Sequence, residues 1–176
     1  SYTHDSAAAL IVDGEFVGFA EEERLSGVKH TGCYPQLAVE WLLDENHLTP
    51  ADVGVVAYNF QPHRYLHVIS QLPRHLAHRD TRGRALPRTV CFASVAARTR
   101  LRIRDLAARF PGAAVEPVQH HRAHGLYAFA SSGYDSASVL VVDSLGETQT
   151  TTVAHAIRRE DGSCLYSTVD SIDDPA

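Results

Sequence analysis

His120 and His124 stand four residues apart in the run Gln119-His120-His121-Arg122-Ala123-His124, and Asp143 follows nineteen residues after the second of them, at the end of an apolar run. Positions i and i+4 share one face of a helix. Two imidazole nitrogens from such a face, with a carboxylate oxygen from a neighbouring strand, form a donor set for one divalent metal ion. A bound ion would polarise a substrate oxygen or organise a leaving group. The plainer alternative is a pair of solvated or core histidines, and 11 His in 176 residues make chance pairs common. His121 falls about 100° around the helix from its neighbours and reads as a supporting or surface residue.

For that pair to act together, the histidines must lie on a helix and Asp143 at a strand end. Pro117 bars helix continuation backwards, and Gly125-Leu126-Tyr127-Ala128-Phe129-Ala130 extends it forwards. Ser136 to Asp143 reads as a buried strand ending in an acid, which is where open α/β sheets place their ligands. Upstream, Ala114 to Val118 is a short strand, and Gly112 ends a helix whose inward stripe is Val95, Thr99, Ile103, Leu106 and Phe110. At the start, Ser6 to Asp13 and Phe16 to Glu21 form two strands joined by an Asp-Gly turn. Glu22 to Tyr34 is polar, and Glu21, Glu22 and Glu23 read as a solvated strand end with Arg24 or Lys29 as partners. Pro35 opens a helix with Leu37, Ala38, Trp41 and Leu42 on one face. Thr49 to Asp52 is a capped turn, and Val53 to Asn59 a buried strand. Phe60 to Pro87 is basic, histidine-rich and weakly periodic, predicting a mobile loop with a short helix, in which His63 and His67 are a second i,i+4 pair. Beyond Asp143, Gly146 turns the chain, and Thr150 to Ile157 pairs with Cys164 to Ile172 around Asp161-Gly162.

This order predicts an α/β fold, a lobe with a mixed sheet and helices over residues 1–135, and the first strands of a second lobe over 136–176. Ending just as the second sheet begins, the sequence reads as a fragment of a longer protein.

With 44% hydrophobic and 21% charged residues the composition is that of a globular protein. No run approaches the ~20 apolar residues of a membrane span, and the first residues do not form a signal peptide. Cys33, Cys91 and Cys164 are odd in number and widely spaced, so neither a disulfide framework nor a zinc ribbon is expected, and a reducing cytoplasm is the natural compartment. The net charge of -5 hides a basic stretch: residues 61–110 hold eleven Arg against Asp80 and Asp105, a local excess of +9. No aromatic platform or helix-turn-helix signature accompanies these arginines, which favours a solvated basic face, or contacts to the rest of a larger protein, over nucleic acid.

Four motifs in order carry a resemblance: His4-Asp5-Ser6-Ala7-Ala8-Ala9-Leu10, Glu21-Glu22-Glu23-Arg24, Lys29-His30 and His120-His121-Arg122-Ala123-His124. Together they resemble the O-carbamoyltransferases of the nodulation and antibiotic-biosynthesis type, relatives of the tRNA threonylcarbamoyl-transfer proteins, over nearly the whole chain. The resemblance implies a two-lobed actin-like ATPase fold built from ribonuclease-H-like halves. It implies an iron-type divalent metal held between lobes by His120, His124 and Asp143, with a further acid ligand that has no counterpart here. It implies that His4 assists carbamoyl transfer and that Lys29, Arg24 and Gly146 meet the nucleotide. A separate carboxy-terminal domain of such enzymes makes carbamoyl-adenylate from carbamoyl phosphate and ATP, and this sequence lacks it, so no transfer is expected from the 176 residues alone. One departure is Ser144 in Asp143-Ser144-Leu145-Gly146-Glu147, where the family carries glycine, which weakens the expected approach of phosphate to that turn.

The chemistry implied is attack by an acceptor hydroxyl on an activated carbamoyl carbon, with His4 as base, the metal on the donor, and Lys29 and Arg24 neutralising the departing phosphate. The acceptor would be a small molecule or glycan, and the stretch from Gln61 to Arg88 is expected to set specificity. Two rivals stand beside it: a basic nucleic-acid-binding module using Arg98 to Arg109, and an actin-like-fold ATPase or kinase in which Asp143 serves magnesium-nucleotide. The lack of a glycine-rich phosphate loop in residues 1–20 counts against the second.

Overall fold

The computed structural model describes residues 5–173, which form two compact units, one of residues 5–54 with 109–113 and the other of 55–108 with 114–173. The chain is mixed α/β. Among the described residues parallel and antiparallel pairing both occur, in small sheets of two or three strands.

In the first unit β1 (Ala7–Val12) and β2 (Glu15–Glu21) form the expected hairpin. Asp13 and Gly14 both have positive φ, 51° and 88°, the conformation that the Asp-Gly pair favours in a two-residue turn. The polar stretch that follows begins with a short helix, α1 (Glu22–Ser26), and then α2 (Gln36–Glu45) forms where Pro35 predicts it. The buried face of α2 is Ala38, Leu42 and Leu43, with Leu37 and Trp41 left exposed, so the stripe is rotated from the expected one. Close packing explains one glycine: a Cβ at Gly18 would lie 2.7 Å from Leu42 Cδ2. Glu22 is not a solvated strand end. It is buried, and its carboxylate accepts the backbone N–H groups of Leu37 (3.2 Å) and Ala38 (2.9 Å), capping α2, whose own N-cap residue is Pro35. Thr49 and Asp52 form the expected capping box on a 3₁₀ turn at Pro50–Asp52.

Loop 27–33 is tied back to the start of β1. Ser6 Oγ donates to the Thr31 carbonyl at 3.0 Å, and His30 Nδ1 lies 2.9 Å from Asp5 Oδ1. That hydrogen bond, with the Asp5 charge, raises the His30 pKa from its ordinary 6.5. A raised folded-state value gives stability that is complete below pH 6.5 and is lost as pH rises through the folded value. Proton NMR titration is expected to find His30 above its ordinary value and to find it lowered in Asp5→Asn; no change in Asp5→Asn would contradict the pairing.

In the second unit β3 (Val55–Tyr58) pairs in parallel with β4 (Ala114–Pro117). β3 is not a buried strand, because Val55 is exposed and Tyr58 alone in it is buried. The expected loop over 60–87 is instead mostly helical: α3 (Pro62–Tyr65), α4 (His67–Ala77) and the start of α5 (Arg82–Arg109), whose last residue returns to the first unit. Tyr65, Val68, Phe92 and Ala96 form the apolar centre that orders these helices. The stripe of α5 is confirmed at Thr99 and Leu106 and extends back to Phe92 and Ala85.

α6 (His120–Ser132) runs to Gly133, whose φ of 75° ends it in the left-handed conformation glycine accepts. It packs on the antiparallel sheet of β5 (Ser136–Gly146), β6 (Gln149–Arg158) and β7 (Cys164–Asp173), in the order β5-β6-β7. Phe129, Val139, Val141, Ala154, Ala156 and Tyr166 make the core between them. β5 is buried on one face only, since Leu140 and Val142 on the other are 65% and 70% exposed. Among the described residues no helix is long and apolar enough to cross a membrane.

Candidate metal centre

The centre lies within the second unit, where the first turn of α6 faces β5. His120 Nε2 is 3.0 Å from Asp143 Oδ2 and 3.1 Å from His124 Nε2, and the three donor atoms all fall within 4.8 Å of one another. The i,i+4 spacing on α6 and the strand position of Asp143 bring together the three residues singled out as metal ligands. His120 is the fixed member. Its ring stacks on Phe60, with centroids 4.6 Å apart and planes at 8°, and its Nδ1 is 3.2 Å from the Asn59 carbonyl oxygen. That contact is shorter than the 3.5 Å to the Asn59 side-chain nitrogen, and it assigns the proton to Nδ1, donating to the carbonyl.

The consequence is electrostatic. Burial, and then the neighbouring His124, push the His120 pKa below its ordinary value. At Asp143 burial acts upward, but the Ser144 N–H, which donates to Oδ1 at 2.6 Å, and the neighbouring His120 and His124 rings outweigh it, so the carboxyl stays below its ordinary range. Both directions favour a neutral His120 beside an ionised Asp143. With the proton assigned to Nδ1, Nε2 is left as a donor atom directed at a carboxylate oxygen 3.0 Å away. The three donor atoms converge on one point, and two nitrogens with an oxygen suit a borderline divalent ion. The Asn59 carbonyl and Phe60 ring provide the outer support that holds a ligating imidazole in one tautomer and one plane.

Two further residues complete the surroundings. His121 is not at the surface: it is 1% exposed, with Nδ1 3.2 Å from Thr152 Oγ1 and Nε2 buried without a hydrogen-bond partner. Burial lowers its pKa, so it is held neutral beside the pair. Its ring explains Gly146, because a Cβ there would lie 2.8 Å from His121 Nε2 and 3.1 Å from His120 Cδ2, and closer still to His121 Cδ2. Glu147 is also 1% exposed, and its carboxylate accepts the backbone N–H groups of Gln61 (2.9 Å) and His120 (3.3 Å to each oxygen). Burial raises its pKa, against those two hydrogen bonds and the charge of Arg64. Asn59, Phe60 and Glu147 were not among the residues the sequence singled out. Glu147 alone left a signal, as the acid closing the Asp143 to Glu147 motif.

The other expected site residues fall elsewhere. His4 lies outside the described residues. Arg24 and Lys29 are exposed and belong to the first unit, and Arg24 pairs with Glu21 at 3.0 Å. Asp5, Glu23 and His30 are another close group of possible ligands, but the Asp5 to His30 contact and the bond from His30 N–H to Glu23 (3.4 Å) account for it. Among the described residues His63 and His67 join no such group. Several arginines of the basic stretch serve the fold: Arg88 lies over Phe92 at 4.9 Å, and Arg109 over Tyr34 at 4.0 Å.

Fold and site therefore define a mixed α/β chain carrying a His-His-Asp cluster at the junction of a helix and a sheet. The chain is similar to the nodulation protein NolNO of Sinorhizobium fredii, 27% identical over 152 residues that cover 84% of this chain and 20% of that protein. It is also 27% identical over 164 residues to the uncharacterized protein sll1178 of Synechocystis, covering 87% of this chain and 26% of that protein. It thus spans about a fifth to a quarter of the length of these curated relatives. No family model matches it.

Proposed function

We propose that this chain is the metal-holding part of an O-carbamoyltransferase that passes a carbamoyl group from carbamoyl-adenylate to a hydroxyl of a small-molecule or glycan acceptor. The observation that carries the reading is the convergence of His120 Nε2, His124 Nε2 and Asp143 Oδ2 within 4.8 Å of one another, with the His120 ring held by Asn59 and Phe60. The four ordered motifs and the similarity to a nodulation protein support the transfer chemistry and the ribonuclease-H-like lobe. His120, His124 and Asp143 would hold a divalent ion of the iron type, which when bound supplies positive charge to the acyl donor.

The roles of the chain's own groups follow from their chemistry. Asp143 lowers the charge of the centre by one and, through the Ser144 N–H, keeps its carboxylate ionised and directed at His120. Phe60 covers one face of the His120 ring and excludes water there, and Asn59 holds its Nδ1 proton. Lys29 and Arg24 are assigned to the phosphate that departs from the carbamoyl carbon, and His4 to the acceptor hydroxyl proton. ATP and carbamoyl phosphate would be consumed upstream, in making the adenylate.

Metal analysis of the chain purified from iron- or zinc-supplemented medium tests the site. About one equivalent is expected in the wild type, and a small fraction of that in His120→Ala and His124→Ala, with both variants still folded by circular dichroism. Equal metal in wild type and His124→Ala would sink the site.

A further inference from the structure

We propose that Glu147 is a positioning residue for the metal centre, a role that rests on the reading of His120, His124 and Asp143 as metal ligands. Its carboxylate fixes the start of α6, and with it the direction of the His120 ring, from 27 residues away.

α6 cannot anchor its own start. Its N-cap residue, Gln119, makes no side-chain cap hydrogen bond, and its first turn contains no acid. A helix N-terminus in that condition presents unpaired N–H groups and the positive end of the helix dipole. Glu147 answers both needs, with its two oxygens each 3.3 Å from the His120 N–H, which is the first residue of the helix and the first ligand of the centre. The same carboxylate accepts the Gln61 N–H at 2.9 Å. Gln61 directly follows Asn59 and Phe60, whose carbonyl meets His120 Nδ1 and whose ring stacks on the His120 face, and its own side chain donates to the Pro117 carbonyl at 3.0 Å. One buried carboxylate therefore joins three pieces of chain: the β5–β6 turn that follows Asp143, the segment supporting the His120 ring, and the helix carrying both histidines.

The backbone at Glu147 fits this role. Its φ is 54°, in the left-handed region that disfavours a non-glycine residue and persists where surrounding contacts over-determine it. Here that conformation sends the side chain inward from the hairpin turn to the helix start. Glu22 offers a built-in comparison, since it is the same residue type, also buried, and caps α2 in the first unit without touching the histidines.

The test is zinc binding to the 176-residue chain by isothermal titration calorimetry, with Zn²⁺ alone as probe, for wild type, Glu147→Ala, Glu147→Gln and Glu22→Ala. Loss of an outer support typically weakens metal affinity roughly 10–100-fold, and that is expected for Glu147→Ala. Glu147→Gln keeps the oxygen that both N–H groups already share and is expected to recover most of the affinity. Glu22→Ala is expected to lose thermal stability and keep wild-type affinity. A second readout needs no metal: nitrogen-15 shifts of the His120 ring are expected to report one Nδ1–H tautomer in wild type and Glu147→Gln, and a mixture in Glu147→Ala. If Glu147→Ala does not fold, Glu147→Asp, whose oxygens are withdrawn by one methylene, carries the same expectation. Wild-type affinity and a single tautomer in Glu147→Ala, or in Glu147→Asp where that replaces it, would overturn the proposal, as would equal metal loss in Glu22→Ala. A wild type that binds no zinc yet shows the tautomer change in Glu147→Ala would overturn the metal role while leaving the failure with the site reading itself.

Discussion

Gly146→Ala is expected to lower the stability of the chain by about 3 kcal/mol, at the upper end of what overpacking costs, and to weaken metal binding in the same variant. The added Cβ would sit 2.8 Å from His121 Nε2 and 3.1 Å from His120 Cδ2. Neither ring has room to yield. His121 is fully buried with Nδ1 against Thr152 Oγ1, and His120 is stacked on Phe60 with Nδ1 at the Asn59 carbonyl. The φ of Gly146 is not in the left-handed region, so the cost is steric and not conformational. Relief must come from separating the β5–β6 turn from the start of α6, which moves Asp143 and His120 apart. For a chain of this size ~3 kcal/mol corresponds to a fall of roughly 6–12 °C in melting temperature. Differential scanning calorimetry and zinc titration check both halves. Removing the obstructing ring should restore part of the loss, so His121→Ala and Gly146→Ala are expected to be non-additive by about 1 kcal/mol or more. Additive costs, or an unchanged midpoint in Gly146→Ala, would contradict the packing described.

This glycine also marks the edge of what the sequence reveals. His120, His124 and Asp143 are legible because each obeys a local rule: i,i+4 on a helix for the pair, and an acid at the end of an apolar run for the third. The support around them is not, because it is built by residues brought from afar. Glu147 is buried by a turn with positive φ and a helix 27 residues earlier, and Asn59 and Phe60 reach His120 across 61 and 60 positions. Nothing in their neighbours' types announces it. The hairpin at Asp13-Gly14 and the β6–β7 pairing are legible for the same local reason, the turn residues and the period of two. β5 misleads because Leu140 and Val142 on its open face are as apolar as Val139 and Val141 on its buried one, so the alternation is hidden in the composition. The helices over 62–77 and the first turns of α5 are hidden by Pro62, Pro73 and Pro87, and by histidines and arginines that blur the period. Their order comes from Tyr65, Val68, Phe92 and Ala96 meeting in one apolar cluster, contacts that no short window contains.

Gly125→Ala should be the next most damaging change, and its sign depends on which of two effects wins. Alanine in the interior of a helix is favoured over glycine by roughly 1 kcal/mol, so in an open position of α6 the change would stabilise the chain. Gly125 is not open. It lies beneath Tyr166 of β7, and an added Cβ would fall 2.6 Å from Cζ and 2.8 Å from Cε2, nearer still to the hydroxyl oxygen. The ring cannot simply rotate away, since it is part of the core with Phe129, Val139 and Ala154, and Arg122 lies over it at 5.5 Å. Overpacking of this kind costs about 1–3 kcal/mol, enough to cancel the propensity gain and leave a net loss. Tyr166→Phe removes the closest atom, a buried hydroxyl that has no partner, but leaves Cζ in the way, so the double variant is expected to stay destabilised. Tyr166→Ala removes the ring, and on that background Gly125→Ala is expected to become stabilising by roughly 1 kcal/mol, the propensity term alone. Urea denaturation of the four chains of that cycle measures the reversal, and a Gly125→Ala effect of the same sign on both backgrounds would contradict it. Gly125 follows His124 directly, so the same pressure lifts the histidine face of α6 from the sheet that carries Asp143. Zinc affinity should therefore fall in Gly125→Ala together with stability.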